Sequence, residues 1–209
     1  MGSALEKCES TLHNQLIYKD KDVLSVSTIS TGGQEMATGR TQISKIREKR
    51  AALRKELWGN LDLSWLWNRK THNGFITIPR TMPIILQIID DLSKGTPASS
   101  TYFALWCRSL DDDSMIEIKD RNEFALESGF SGSRAVSTWT ARMKLLRDLQ
   151  FIDTKEVSHE FSYVLIWNPH LVLKSLASNQ KIPRMEFYNS LVKRAIDIGC
   201  KDFIEVKSE

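Results

Sequence analysis

The sequence lacks the long apolar stretches, signal segments and cysteine motifs that are typical of membrane proteins, secreted proteins and proteins with a structural zinc ion. Its longest apolar stretch, residues 82–89, is far shorter than the roughly 20 residues of a membrane helix. Its first residues lack the basic segment and apolar core of a secretory signal. Only three cysteines occur, far apart and without a CxxC spacing: Cys8, Cys107 and Cys200. We therefore expect no membrane segment, no disulfide framework and no structural zinc site, and a reducing cytoplasm as the location.

Sequence motifs that carry catalysis are missing as well. The chain contains neither a GxxxxGK[ST] phosphate loop nor a GxSxG nucleophile elbow. Three consecutive aspartates at 111–113 cannot all point at one metal ion, so a solvated turn is favoured over a magnesium nuclease site. The histidines share no ligand spacing and have no neighbouring cysteine, which predicts surface or loop positions for His13, His72, His159 and His170. We expect no enzyme, no cofactor and no metal.

What is present is an ordinary globular composition with charge sorted along the chain. The 209 residues are 41% hydrophobic and 26% charged, with a net charge of +3, which fits one domain or one domain with a tail. Residues 40–58 hold seven basic and two acidic side chains, a net of +5. Residues 131–150 carry +3 and residues 111–127 carry −5. The charge is therefore polarised between segments, which favours an anionic partner for the basic ones.

The first 74 residues predict a tail and one basic helix. Residues 1–39 are rich in serine, threonine and glycine, which predicts a flexible tail. Thr41 begins a predicted helix that ends at Trp58, and residues 59–74 form a connector. Two roles stay open for this helix: an arm that contacts phosphates through Arg50 and Arg54, or a dimerisation helix with a solvated charged face.

The remaining chain predicts an α+β fold that is mostly helical. Phe75–Ile78 is predicted to be a short strand, and both helices and strands are predicted after it. Helices are predicted at 81–94, 99–110, 120–127, from a Ser131 or Ser133 cap to 149, 171–176 and 185–198, and strands at 115–118, 151–154 and 161–167. This is the element order of a winged helix-turn-helix core, placed at 75–178, with added N- and C-terminal helices. Residues 179–209 form the C-terminal helix and tail.

The helix after the glycine-rich turn has one apolar and one polar side. Positions three and four apart predict an inward face made of Val136, Trp139, Met143, Leu146 and Leu149. Small hydroxyl residues on the other side let a helix approach a DNA groove closely, and arginines reach guanine edges or phosphates. Predicted contacts to bases come from Arg134, Ser137, Thr138 and Arg142, and Ser133 is predicted to bind DNA beside them. Lys144 and Arg147 are predicted to neutralise phosphates.

Two segments resemble the winged helix domains of replication initiators and regulators carried by plasmids and other mobile elements. They are GFSGSRAVSTWTARMKLLRDLQFIDTK at 129–155 and YVLIWNPHLVL at 163–173. The resemblance implies a sequence-specific binder of double-stranded DNA that acts in transcriptional control or replication. A homodimer on two half-sites is one arrangement such proteins use.

The predicted wing departs from that pattern. It carries Glu156, His159 and Glu160 against Lys155 alone, and acidic side chains repel phosphates, which argues against contact between the wing and DNA. Winged helices also serve as protein-interaction modules. An interaction module without DNA binding therefore stays open as the alternative function.

Overall fold

The computed structural model describes residues 32–59, 62–110 and 113–204, with side chains described from residue 44 onward. The predicted tail up to residue 31 and two of the three aspartates, Asp111 and Asp112, lie outside these ranges. The chain divides into two compact units, Met1–Leu66 and Trp67–Glu209. The two units are described separately below.

The first unit contains a long basic helix, α1, at Gly32–Trp58 and a 3₁₀ turn at Leu63–Trp65. The helix begins at Gly32 rather than at the predicted Thr41, so residues 32–39, which the sequence analysis placed in the tail, are helical. This segment lacks proline and carries Gln34, Glu35, Met36 and Ala37, which all favour helix. Beyond α1, the Asp62 carboxylate accepts a hydrogen bond of 2.9 Å from the Ser64 amide and begins the 3₁₀ turn.

The second unit is an α+β domain. Its helices are α2 (Met82–Leu92), α3 (Ser99–Arg108), α4 (Arg121–Glu127), α5 (Ala135–Asp148), α6 (Pro169–Ser178) and α7 (Met185–Asp197). Its strands are β1 (Met115–Glu117), β2 (Ile152–Lys155) and β3 (Tyr163–Ile166). A 3₁₀ turn at Lys201–Phe203 follows α7. The predicted elements in this unit are present with ends shifted by a few residues, apart from the first strand, discussed below.

The three strands form one antiparallel sheet in the order β1-β3-β2. Ile116 pairs with Val164, and Val164 also pairs with Thr154 of β2. Ile116 and Val164 are buried while their strand neighbours Met115 and Leu165 are more exposed, as expected for a sheet with one face on the core. The sheet therefore turns one face to the helices and one face outward.

The core of the second unit comes from every helix. Its largest fully buried side chains include Trp139, Tyr102, Phe151, Phe161, Met82, Ile85 and Ile88. The apolar side of α2, made of Ile85, Ile88, Ile89 and Leu92, is buried, and Pro83 lies in the first turn of the helix, where the missing N–H costs little. Gly95, at φ +86°, follows the end of α2, in the left-handed region that favours glycine.

An acidic side chain fixes the corner between α2 and α3. One carboxylate oxygen of Asp90 accepts hydrogen bonds from the amides of Ala98 and Ser99, at 3.0 and 2.9 Å. The other oxygen accepts the Ser99 hydroxyl at 2.7 Å. A carboxylate at a helix N-terminus satisfies amides that lack partners within the helix. The α2–α3 loop, which contains Pro97, is held in place in this way.

Two local predictions are wrong. Residues 75–78 do not form a strand, and Phe75 and Ile78 are exposed, because no described strand lies beside them to complete a hydrogen-bonded ladder. Neither Ser131 nor Ser133 caps α5. The cap position is Arg134, without a side-chain cap hydrogen bond, because a turn closed from Ala135 N–H to the Gly132 carbonyl, at 3.1 Å, moves the helix start beyond both serines.

No helix among the described residues combines the length and the apolar character that crossing a bilayer requires.

Candidate nucleic-acid interface

The turn between α4 and α5 is the sharp bend that the sequence predicted. Gly129 and Gly132 adopt φ values of +86° and +79°, which glycine tolerates and side-chain-bearing residues rarely do. The Phe130 amide donates to the Ala125 carbonyl at 2.9 Å and closes the end of α4. Phe130 itself is half-buried against the core and anchors the turn to the domain.

The inner face of α5 fixes the helix rigidly on the domain. Trp139 has no exposed surface and meets Phe161 edge-on, with ring centroids 5.7 Å apart. Met143 and Leu146 are also fully buried. The predicted core positions Val136 and Leu149 are half-buried at its margin. A helix packed this firmly presents its outer face in one fixed orientation.

The outer face of α5 is a narrow strip of small and basic side chains. Arg134, Ser137, Ala141 and Lys144 are exposed, and Thr138 is half-buried beside them. The Ser137 hydroxyl donates to the Arg134 carbonyl at 2.8 Å, which ties the hydroxyl down at the helix start. Among the described residues no hydrogen bond or ion pair reaches the Arg134 guanidinium. This end of α5 therefore offers an unneutralised positive charge where the helix dipole is also positive.

Arg142 does not share the freedom of Arg134. Its Nε donates to the Pro97 carbonyl at 2.7 Å, and its guanidinium carbon lies 5.8 Å from the centroid of the Phe130 ring. The side chain thus joins α5 to the α2–α3 loop and to the α4–α5 turn. Contact between Arg142 and a base would require breaking the bond to Pro97, so its predicted role is the weakest of the set. Ser133 is exposed in the turn before α5.

Two of the basic residues in the second half of α5, Lys144 and Arg147, are paired with one acid from the β2–β3 loop. Lys144 Nζ lies 3.4 Å from one oxygen of Glu160, and Arg147 Nη1 lies 3.2 Å from the other. Arg147 also lies 3.4 Å from the Thr154 hydroxyl and 5.6 Å from the Phe161 ring centroid. These pairs are partly exposed and so are worth at most about 1 kcal/mol each. They halve the positive charge that this part of the strip offers.

The β2–β3 loop is organised by a single hydroxyl. Ser162 Oγ accepts amide hydrogen bonds from Val157, Ser158 and His159 at 3.3, 3.0 and 2.9 Å. It donates to the His159 carbonyl at 2.7 Å. The His159 ring nitrogen Nε2 lies 2.9 Å from the Ile118 carbonyl. The loop therefore has a defined backbone conformation, and Glu160 is held towards α5.

The acidic segment before α5 is partly neutralised by an arginine at the end of α3. Arg108 forms ion pairs with Glu127 and Glu123, and its hydrogen bond to Glu127 raises the pKa of the guanidinium. Asp120 accepts the Asn122 amide at 2.7 Å at the start of α4, and this bond lowers the pKa of that carboxyl. The segment keeps an excess of acid, which disfavours a phosphate backbone beside it.

The remaining predicted phosphate contacts belong to the first unit. Arg50 and Arg54 lie one helical turn apart on α1 and are both exposed. Their surroundings are basic, since Lys49 directly precedes Arg50 and Lys55 directly follows Arg54. Of the basic groups that the sequence singled out, Arg134, Arg50 and Arg54 form no ion pair with the described residues.

One prediction about histidine is wrong. His170 is buried on α6 rather than placed on the surface or in a loop, and Cys200 lies beside it, with Sγ 3.5 Å from its Nδ1. His170 also bonds Thr81 through Nε2, at 2.7 Å, and Asp202 through Nδ1, at 2.8 Å. The partners are 30 or more residues away in sequence, so no local spacing signals this cluster.

Comparison of the chain with models of protein families, with curated proteins and with solved structures found no match in any of the three.

Proposed function

We propose that the second unit is a winged helix-turn-helix domain that binds double-stranded DNA sequence-specifically. The succession of α3, β1, α4, α5, β2 and β3, with β3 as the central strand, supports this fold. In such a domain α5 is the helix that enters the major groove, and the β2–β3 loop is the wing. The resemblance of residues 129–173 to plasmid-borne proteins favours a role in transcriptional control or replication of a mobile element.

The observation that carries the proposal is the outer strip of α5. Arg134 begins it without a partner, and Ser137 and Ala141 follow with side chains small enough for close approach to base edges. Arginine at the start of a recognition helix forms bidentate hydrogen bonds with guanine. Arg134 and Ser137 therefore read bases, with Ser133 and Thr138 at the edge of the contact. Lys144, Arg147, Arg50 and Arg54 bind phosphates, and the proposal assigns no catalysis to the chain.

The test is a selection of binding sites from random duplex DNA, followed by affinity measurements on the selected duplex by fluorescence anisotropy. Losing a bidentate base contact costs about 1–3 kcal/mol, or roughly 5- to 150-fold in Kd. Arg134→Ala is expected to weaken binding by that factor and to relax the preference at one base position. Arg194→Ala is the matched control, because Arg194 is an exposed arginine on α7.

The proposal fails if no duplex is enriched over a range of salt concentrations. It also fails if Arg134→Ala and Arg194→Ala bind the selected duplex equally well. Weak binding that is uniform across sequences and vanishes with salt would leave only electrostatic attraction to phosphates.

A second candidate function is a protein-interaction module without DNA binding. The observation that favours it is Glu160, which neutralises Lys144 and Arg147 and places an acid beside the strip. This hypothesis expects no enrichment of duplex DNA even at low salt. It expects instead that a partner protein is captured by the wild-type chain and lost by a charge reversal at Arg134.

A further inference from the structure

A second cluster of chemically active side chains lies away from α5. It consists of His170 at the start of α6, Cys200 after α7, and Asp202 in the 3₁₀ turn that follows. One ligand atom from each residue lies within 4.8 Å of the other two. His170 is 6% exposed and the other two are half-buried. Three elements thus bring a nitrogen, a sulfur and an oxygen donor to one point.

The distances between these donors fit a tetrahedral metal site. Zinc binds histidine nitrogen and carboxylate oxygen at about 2.0–2.2 Å and thiolate at about 2.3 Å, so tetrahedral ligand atoms lie about 3.3–3.5 Å apart. His170 Nδ1 lies 3.5 Å from Cys200 Sγ, and Sγ lies 3.8 Å from Asp202 Oδ2. Nδ1 and Oδ2 are 2.8 Å apart. Shifts of about half an ångström therefore create the site, without movement of the backbone elements.

Outer hydrogen bonds orient the donors in the way that metal ligands usually require. The buried Thr81 hydroxyl contacts His170 Nε2 at 2.7 Å, which turns Nδ1 towards Cys200 and Asp202. The Asn168 side-chain amide donates to Asp202 Oδ2 at 3.1 Å. A nearby cation does not compete for the carboxylate, since Lys174 Nζ bonds the Asp202 backbone carbonyl at 2.8 Å. Ligand histidines almost always have such a partner on the second ring nitrogen.

We propose that His170, Cys200 and Asp202 bind one Zn²⁺ ion. Nitrogen, thiolate and carboxylate ligands together suit zinc better than the oxygen-preferring magnesium or calcium. A cavity of about 320 Å³ lined in part by His170 and Asp202 leaves room for a water as the fourth ligand. Binding replaces the thiol proton of Cys200, which leaves to solvent. His170 binds the ion through Nδ1 as a neutral imidazole, so the proton on Nδ1 moves to Nε2 or leaves to solvent, and the single N–H on Nε2 donates to the Thr81 hydroxyl.

The bound ion fastens the end of the described chain to the domain. Cys200 and Asp202 lie beyond α7, whereas His170 belongs to α6 and Thr81 precedes α2. Zinc would therefore add direct bonds between α6 and the segment after α7, which are otherwise joined by the hydrogen bonds of Asp202 with His170, Asn168 and Lys174 and by the Phe203 ring against His170. A ligand that binds only the folded state raises the melting temperature with its concentration.

The direct test uses the full-length chain after treatment with a chelator. Co²⁺ is added first, because a cobalt–thiolate bond gives a charge-transfer absorption band, and Zn²⁺ affinity is then measured by competition with a chromogenic chelator. The expected result is one ion per chain, a thiolate band, and a higher melting temperature with Zn²⁺. Cys200→Ser is expected to lose the band and about tenfold or more in Zn²⁺ affinity. Cys107→Ser, at the exposed cysteine of α3, is the matched control and keeps both.

A second set of variants distinguishes a metal site from a cluster that is only hydrogen-bonded. Thr81→Val keeps all three ligands and removes only the partner of His170, and is expected to lower Zn²⁺ affinity about 10- to 100-fold. Asp202→Asn provides a ligand change that keeps the thiol, so it decides the matter if Cys200→Ser does not fold by circular dichroism. The proposal is overturned if the wild-type chain shows no cobalt–thiolate band, or if Cys200→Ser and wild type bind Zn²⁺ with equal affinity.

Discussion

The two basic helices of this chain have similar patterns of apolar residues and opposite surroundings. In α5 the apolar positions Trp139, Met143 and Leu146 have no exposed surface. In α1 the corresponding positions Ile46 and Leu53 are 56% and 51% exposed, and no described side chain of α1 is buried. A helical period shows which residues share a face, but a partner surface is needed before that face contributes to stability.

The contrast also separates two ways of presenting positive charge. The charge on α5 is carried by a helix that packing holds in one orientation, as base recognition requires. The charge on α1 is larger, with a net of +5 over residues 40–58 against +3 over residues 131–150, and its side chains are solvated. Solvated charge suits contacts with phosphates, which need attraction but little geometric precision.

The largest expected effect concerns the stability of the two helices. Trp139→Ala is expected to lower the free energy of unfolding by about 3–5 kcal/mol, because it empties a fully buried site beside Phe161. Leu53→Ala is expected to change it by less than about 0.5 kcal/mol, because the side chain is already exposed. Urea denaturation followed by circular dichroism measures both values.

The Leu53→Ala variant also decides between the two roles of α1. Helix α1 is a dimerisation helix if the wild-type chain sediments as a dimer, Leu53→Ala sediments as a monomer, and the wild-type stability rises with chain concentration. A monomeric wild-type chain with unchanged stability in Leu53→Ala leaves the phosphate-contacting arm.

A smaller effect is expected when the two arginines of α1 are removed. The double variant Arg50→Ala, Arg54→Ala is expected to weaken binding to all duplexes alike and to reduce the salt slope of log Kd by about two. Arg134→Ala is expected to change sequence preference with a smaller change in salt slope. Titrations at several salt concentrations on a selected and a scrambled duplex separate the two behaviours. Loss of sequence preference in the α1 variant would contradict the division of roles proposed here.

The smallest expected effect comes from the acid that neutralises α5. Glu160→Gln removes the charge that pairs with Lys144 and Arg147. Each such surface pair is worth at most about 1 kcal/mol, so DNA affinity is expected to rise only severalfold, with a steeper salt dependence. Glu156→Gln is the control, because Glu156 is exposed in the same loop and forms no ion pair with the described side chains of α5. Weaker or unchanged DNA binding in Glu160→Gln would place Lys144 and Arg147 outside the interface.

The order of elements in the second unit was predictable because apolar periodicity and turn residues agree there. Pro83 at the start of α2 and the glycines at 129 and 132 mark element boundaries by backbone chemistry alone. The start of α1 was missed because the residues at 32–39 combine glycines with strong helix formers. The strand predicted at 75–78 was wrong because a short β-branched run forms a strand only when another strand lies alongside.

The contents of the candidate site were less predictable than its helix. Helical spacing identifies the outer face of α5, but it does not show that Arg142 bonds the Pro97 carbonyl or that Glu160 reaches Lys144. Both contacts join residues brought together only by tertiary packing. The cluster of His170, Cys200 and Asp202 is hidden for the same reason, since α7 separates its members along the chain.

The Ser162 hydroxyl described above fixes the backbone of the β2–β3 loop independently of the charge of the exposed side chains in the loop. One side chain at the base of the loop accepts hydrogen bonds from three successive backbone amides. The exposed side chains of Glu156 and Val157 are therefore not needed to form the turn. Substitutions there can change the loop from acidic to basic while its backbone keeps the same path. The loop is therefore a position where the surface charge beside α5 can be changed, by selection or by engineering, while the domain keeps its fold.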